Sequence, residues 1–225
     1  MTSHTKTPST RILPLAVGFT VAYLIVDLAL SALDVAESFM LSGLPPDMLY
    51  EDALSDGLLA LYGVLAIAAM VFFAVFVTCI VINAIFLYRA GELAKLLSTN
   101  EARSGGHAHW LWFIVPIANL FMPFKKMRQL ITFATEGDET LKAPAPGYLK
   151  TLWACWIIGN LVANLGFRSF MGAETVADVT FSNWSSPFAS AFTVVSGLLF
   201  IRYMREVSAG LDAQASRTAR RGTAF

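Results

Sequence analysis

From Leu58 to Leu87 the chain runs for thirty residues without an Asp, Glu, Lys or Arg. A hydrocarbon core of roughly 30 Å needs about 20 apolar helical residues. The run therefore exceeds one crossing, which leaves room for tilt or for a helix that continues into water as YRAGELAKLL. Composition agrees: 56% of the 225 residues are hydrophobic, 14% are charged and the mean hydropathy is +0.61. That is more apolar surface than one soluble core of this size buries. The expected fold class is all-α, an integral membrane helical bundle.

Four stretches are long enough to span: 12–33, 58–87, 148–170 and 187–203. Lys6 and Arg11 precede the first, as they would a signal peptide. Its apolar run is longer than the roughly 7 to 15 residues of a signal's apolar region, so it is read as a retained anchor. The predicted organisation is a tail over 1–11, a membrane domain over 12–206 and a basic, disordered tail over 207–225.

Positive charge sets orientation, because Lys and Arg favour the cytoplasmic side. The stretch from Asp34 to Gly57 holds Asp34, Glu37, Asp47, Glu51, Asp52 and Asp56 but no Lys or Arg, and is expected outside. Arg89, Lys95 and Arg103 follow the second span, Lys125, Lys126, Arg128, Lys142 and Lys150 precede the third, and Arg205, Arg217, Arg220 and Arg221 follow the last. All of these are expected inside, with both termini cytoplasmic at the inner (plasma) membrane.

Between two basic stretches lies the apolar run Trp110 to Phe124, fifteen residues long. As helix it would measure about 22 Å, and Pro116 removes a backbone donor near its middle. It is predicted to enter and return from one side, shielded by neighbouring helices; the alternative is a fifth, proline-kinked span. After Pro123, Met127, Leu130, Ile131 and Ala134 recur at the spacing of one helix face. Lys125, Lys126 and Arg128 lie off that stripe. An interfacial helix over 125–135 follows, resting either on an anionic leaflet or on the protein's own rim. The stretch TEGDETLKAPAPG is an exposed connection.

The elements FLYRA at 86–90 and WFIVPIANLFMPFKKMRQL at 112–130 resemble the core signature of a bacterial multi-pass membrane family, domain of unknown function 4328. The resemblance covers 58–168; Trp112, Pro116 and Pro123 belong to its motif, and the Pro116, Asn119, Pro123 arrangement is its most specific part. Phe86 stands where the family pattern has Trp, Leu93 where it has Asn, and Lys125 where a neutral residue is common. The resemblance implies a fold and a location and no activity.

The search for chemistry finds little. No Gly-rich phosphate loop, zinc-protease His pair or nucleophile elbow is present. His107 and His109 have no third ligand near them in sequence, and Cys79 and Cys155 sit in apolar runs as small hydrophobes. No catalytic residue, metal, cofactor or nucleic-acid partner is expected.

Polar groups inside spans are costly and find partners. Asp27 shares a helix face with Tyr23, Ser31 and Asp34, and its expected mate is Arg168, the basic residue at the outer end of a span. Asn160 and Asn164, beside Gly159 and Ala163, form a small polar face read as a helix contact, with a ligand site as the alternative. Counted from the cytoplasmic ends, Asn83, Asn119 and Asn160 reach similar depths above Arg89, and are expected to converge as glue or as a polar pocket. Two functions follow. The first is a non-enzymatic membrane module that binds lipid, anionic at Lys125, Lys126 and Arg128, or a partner protein. The alternative is a small homo-oligomeric transporter or channel lined by the re-entrant segment.

Overall fold

The computed structural model describes residues 8–98, 122–137 and 144–222. Five α-helices lie within them: α1 (Pro8–Leu41), α2 (Asp56–Leu97), α3 (Met122–Glu136), α4 (Gly147–Met171) and α5 (Val176–Gly222). A 3-10 turn occupies Tyr50–Ala53. No strand occurs among the described residues, so the all-α expectation holds. The helices α1, α2 and α5 are long and apolar enough to cross a membrane. The remaining expected span is α4, whose 25 residues would reach about 37 Å but whose apolar character is diluted by Asn160 and Asn164. The expected re-entrant segment lies outside the described residues, apart from Met122, Pro123 and Phe124, which open α3.

The helices extend beyond the expected spans. Helix α1 continues past Leu33 to Leu41, and α5 begins at Val176 rather than Pro187. Residues 207–222, expected to be a disordered tail, are helix as well. Val207 and Leu211, one turn apart, are completely buried there, and a helix that gains packing on one face extends through charged sequence that would not hold it alone. Pro14 and Pro187 both lie inside helices.

Helix ends carry specific chemistry. At the start of α5 the Thr175 hydroxyl accepts from the Asp178 N–H at 3.3 Å, and the Asp178 carboxylate accepts from the Thr175 N–H at 3.0 Å. This reciprocal pair is a capping box. Helix α3 ends at Gly137, whose φ of +68° suits glycine and whose N–H donates to the Phe133 carbonyl at 2.9 Å.

Two compact units make up the chain. The first comprises Met1–Thr20, Thr78–Trp153 and Leu198–Phe225. Its core holds Phe86, Leu130, Ile131, Leu149, Tyr203 and Leu211, each at 0% exposure. The amphipathic α3 buries Met127, Leu130, Ile131 and Ala134 there, which is the sequence-predicted stripe, and it docks on α5 where Gly210 meets Ala134. Tyr148 donates to Glu206 at 2.6 Å, Arg202 pairs with Glu206 at 2.7 Å, and the Arg202 guanidinium lies 4.3 Å from the Tyr148 ring centre. That triad ties the start of α4 to α5.

The second unit comprises Val21–Val77 and Ala154–Gly197. Its two connectors are stitched together: Leu49 bridges to Thr175, Tyr50 N–H donates to the Glu174 carbonyl and Val176 N–H to the Met48 carbonyl, each at 3.0 Å. Beneath them Leu41, Ala53, Leu58, Val176 and Val179 form a buried cluster. Small residues bring α4 and α5 close, since a Cβ at Gly159 would lie 3.2 Å from Phe192 Cβ and the Ser182 hydroxyl donates to the Gly166 carbonyl at 2.9 Å. Close approach at small residues is how helices associate in lipid. Along α2, Ile67, Met70 and Phe73 are 61%, 66% and 67% exposed, an apolar surface suited to hydrocarbon rather than water.

Candidate functional site

Along α1 in the second unit, Leu24, Asp27, Ser31, Asp34 and Ser38 follow one another at steps of three and four residues, which places them on one face. Three of the five, Leu24, Ser31 and Ser38, are buried. Along α5, Asn183, Ser186 and Ser190 form a matching face. The two faces meet in opposite directions. Gly197 packs against Leu24, Ser190 lies beside Asp27, Ser186 lies beside Asp34, and the Phe39 and Trp184 rings meet edge-on at 6.3 Å. The result is a seam in which carboxylates of one long helix are answered by hydroxyls of another. Among the described residues no lysine or arginine pairs with either carboxylate.

The seam ends in a tighter arrangement. Glu37 is only 3% exposed, and it accepts hydrogen bonds from the hydroxyls of both Tyr50 and Tyr62. The two phenols meet edge-on, 6.3 Å between ring centres. Burial, together with the bond to Glu37, pushes the Tyr50 phenol well above its ordinary value, so it remains a donor across the physiological range. A hydrogen bond to a charged group contributes about 1.5 to 3 kcal/mol, and here two of them fix the first connector between α1 and α2.

Two polar atoms in this unit stay unsatisfied. Asp27 Oδ2 and Asn183 Nδ2 are buried and meet no hydrogen-bond partner. Asn183 is 6% exposed. Pro187 has no N–H to give the Asn183 carbonyl four residues earlier.

The sequence-predicted residues fall as follows. Asn83 donates to the Thr20 hydroxyl at 3.2 Å and to Cys79 Sγ at 3.3 Å, all within the first unit. Asn160 lies in the second unit and is exposed, its amide donating to the Trp156 carbonyl of its own helix at 2.7 Å. Asn164, Arg89 and Arg168 are exposed. The close contact of α4 with α5 is made at Gly159, a residue of the expected small face, and at Gly166. Asp27 lies beside Ser190, and Arg168, its expected mate, is exposed and forms no ion pair with it. Trp112, Pro116 and Asn119 lie outside the described residues, while Pro123 is buried in the first turn of α3. Lys125 is exposed, and Lys126 and Arg128 are half-buried.

A family model described as a domain of unknown function, DUF4328, matches residues 52–209. The chain belongs to that family. No curated protein and no solved structure matches it. The DUF4328 segment takes in α2, α3, α4 and most of α5, including Asn83, Arg89, Pro123, Ser186 and Ser190, whereas α1 with Asp27, Asp34 and Glu37 precedes it. The seam therefore joins the DUF4328 segment to a helix outside it.

Sequence reasoning missed Glu37, Tyr50, Tyr62, Ser186 and Ser190. A signal was present: the polar positions 27, 31, 34 and 38 keep helical spacing beyond the end of the apolar run, which argues for one continuous helix where an acidic loop was expected.

Proposed function

We propose that this DUF4328 protein is a bacterial multi-pass inner-membrane protein in which α1, α2, α4 and α5 cross the bilayer and both termini are cytoplasmic. It acts as a non-enzymatic membrane module that binds anionic lipid or a partner protein at its basic side. The supporting observation is how charge is divided. In the second unit, all of whose residues are described, Arg168 is the one Lys or Arg beside nine Asp and Glu. The first unit carries exposed Arg11, Arg89, Lys95, Lys125, Lys150 and Arg205. Basic residues favour the cytoplasmic leaflet and its anionic lipids, so the first unit belongs on that side. Because α3 spends its apolar stripe on its own core, lipid would meet it through Lys125 and its charged neighbours rather than through insertion.

Native mass spectrometry of the purified protein, titrated with phosphatidylglycerol or phosphatidylcholine, tests this. Phosphatidylglycerol adducts are expected to survive where phosphatidylcholine adducts do not, and to fall severalfold in a Lys125→Gln, Lys126→Gln variant. Equal retention of the two lipids would contradict lipid binding at this face, and a co-purifying protein would identify the partner form of the module.

The alternative, a small oligomeric transporter or channel, gains support from one feature. Carboxylates in transmembrane helices can mark ion pathways, and the seam of α1 and α5 carries two.

A further inference from the structure

We infer that the exposed face of α4 is a contact between two copies of this chain, held by the amides of Asn160 and Asn164. The inference rests on α4 crossing the bilayer and does not depend on lipid binding. It begins with the two sides of that helix in the second unit. Gly159 and Gly166 turn toward α5, where Phe192 and Ser182 meet them. Asn160, Asn164, Phe167 and Met171 follow one another at steps of three and four residues and share a different face. That face lies about a third of a turn round the helix from the two glycines. All four of its residues are exposed, Phe167 at 64% and Met171 at 71%.

Depth makes this exposure costly. Along the helix axis Asn160 lies about 20 Å from Gly147 and about 17 Å from Met171, near the middle of a bilayer that α4 crosses. An amide exposed to hydrocarbon is unfavourable, and the asparagine stem is too short to reach a headgroup layer as Lys and Arg do. Asn160 gives one N–H to the Trp156 carbonyl at 2.7 Å, which leaves its oxygen and a second N–H. Asn164 makes no hydrogen bond among the described residues. The two amides also dilute α4, which is not among the three helices apolar enough to cross by composition. A partner that takes both amides out of lipid removes that deficit.

A second copy is the partner this face fits. An amide is donor and acceptor at once, so Asn160 and Asn164 are complementary to themselves. About a twofold axis along the bilayer normal, α4 meets α4 in parallel and each amide faces its equivalent. Amides hydrogen-bonding across helices associate them within lipid. The charges at the outer end agree. Arg168, one turn beyond Asn164, is exposed and is the one Lys or Arg of the second unit. Glu174, just past the end of α4, is exposed at the same end. Arg168 of one copy and Glu174 of the other therefore offer opposite charges beside the same axis.

Oxidative cross-linking of the full-length protein in membranes, with Cys79 and Cys155 replaced by alanine, tests the contact. Phe167→Cys and Met171→Cys, on the amide face near its outer end, are expected to form disulfide-linked dimers. Leu165→Cys, equally exposed at 66% but on another side of the helix, should cross-link severalfold less. Adding Asn160→Leu and Asn164→Leu to the Phe167→Cys protein should lower the dimer yield severalfold while protease resistance stays at the wild-type level. No dimer through the amide face, equal yields through Leu165→Cys and Phe167→Cys, or a yield unmoved by the leucines would overturn the contact. So would a cross-link to a different protein, or lost protease resistance in the leucine variant, which would assign the amides to the chain's own fold. Leu161→Cys, near the middle of α4, keeps the two failures apart. Its labelling by an impermeant, water-soluble thiol reagent would put α4 in water and overturn the crossing itself, whereas a shielded Leu161→Cys without a dimer would overturn the contact alone.

Discussion

A Glu37→Ala protein is expected to lose about 2 to 4 kcal/mol of stability, because two partly buried phenol hydroxyls then lose their acceptor and each unsatisfied polar group costs about 1 to 3 kcal/mol. Glu37→Gln keeps an acceptor oxygen and should lose roughly half as much. Tyr50→Phe and Tyr62→Phe should each destabilise, and the double change should cost less than the sum, since both act through one carboxylate. Thermal unfolding in detergent measures all five. A Glu37→Ala protein that melts with the wild type would mean that the clamp between α1, the first connector and α2 contributes nothing.

The second large effect belongs to Gly210. A Cβ there would lie 2.4 Å from the Ala134 carbonyl oxygen. That atom is backbone and cannot turn aside. Overpacking of a close contact costs about 1 to 3 kcal/mol, and for Gly210→Val the strain falls on one joint, the docking of α3 on α5. The expected outcome is a lower melting temperature together with protease cleavage around α3, while the rest of the chain stays resistant. Gly63 of α2 is the control, because nothing lies within 4 Å of its Cβ position. Gly63→Ala should leave stability unchanged or raise it by about 0.5 to 1 kcal/mol through lower backbone entropy. Protease resistance of α3 in Gly210→Val would contradict the close joint.

These two sites show what a sequence discloses and what it withholds. The stripe Met127, Leu130, Ile131 and Ala134 was legible because helical period is local, and it is buried as the pattern required. Which surface it covers was not legible: a leaflet and the protein's own core present the same apolar face to a stripe. Asp27 was legible as a costly group in a span. Its partner was not, because pairing by charge pointed to Arg168 while packing of α1 on α5 supplied Ser190. Glu37 reads as a loop residue because acidic composition resembles a connector, yet it is held by Tyr50 of the connector and Tyr62 of α2, which only folding brings to it. The same limit explains the basic end of α5, where Val207 and Leu211 gain burial that local composition could not announce.

The central claim is that the chain crosses the bilayer with α1, α2, α4 and α5 and keeps both flanks of 110–124 on the cytoplasmic side. Single cysteines placed at Ser55, Ser104 and Thr140, in a chain whose Cys79 and Cys155 are replaced by alanine, test it when intact cells are treated with an impermeant thiol reagent. The account predicts labelling at Ser55 and shielding at both Ser104 and Thr140. Labelling at Thr140 with Ser104 shielded would make 110–124 a crossing segment and contradict the account.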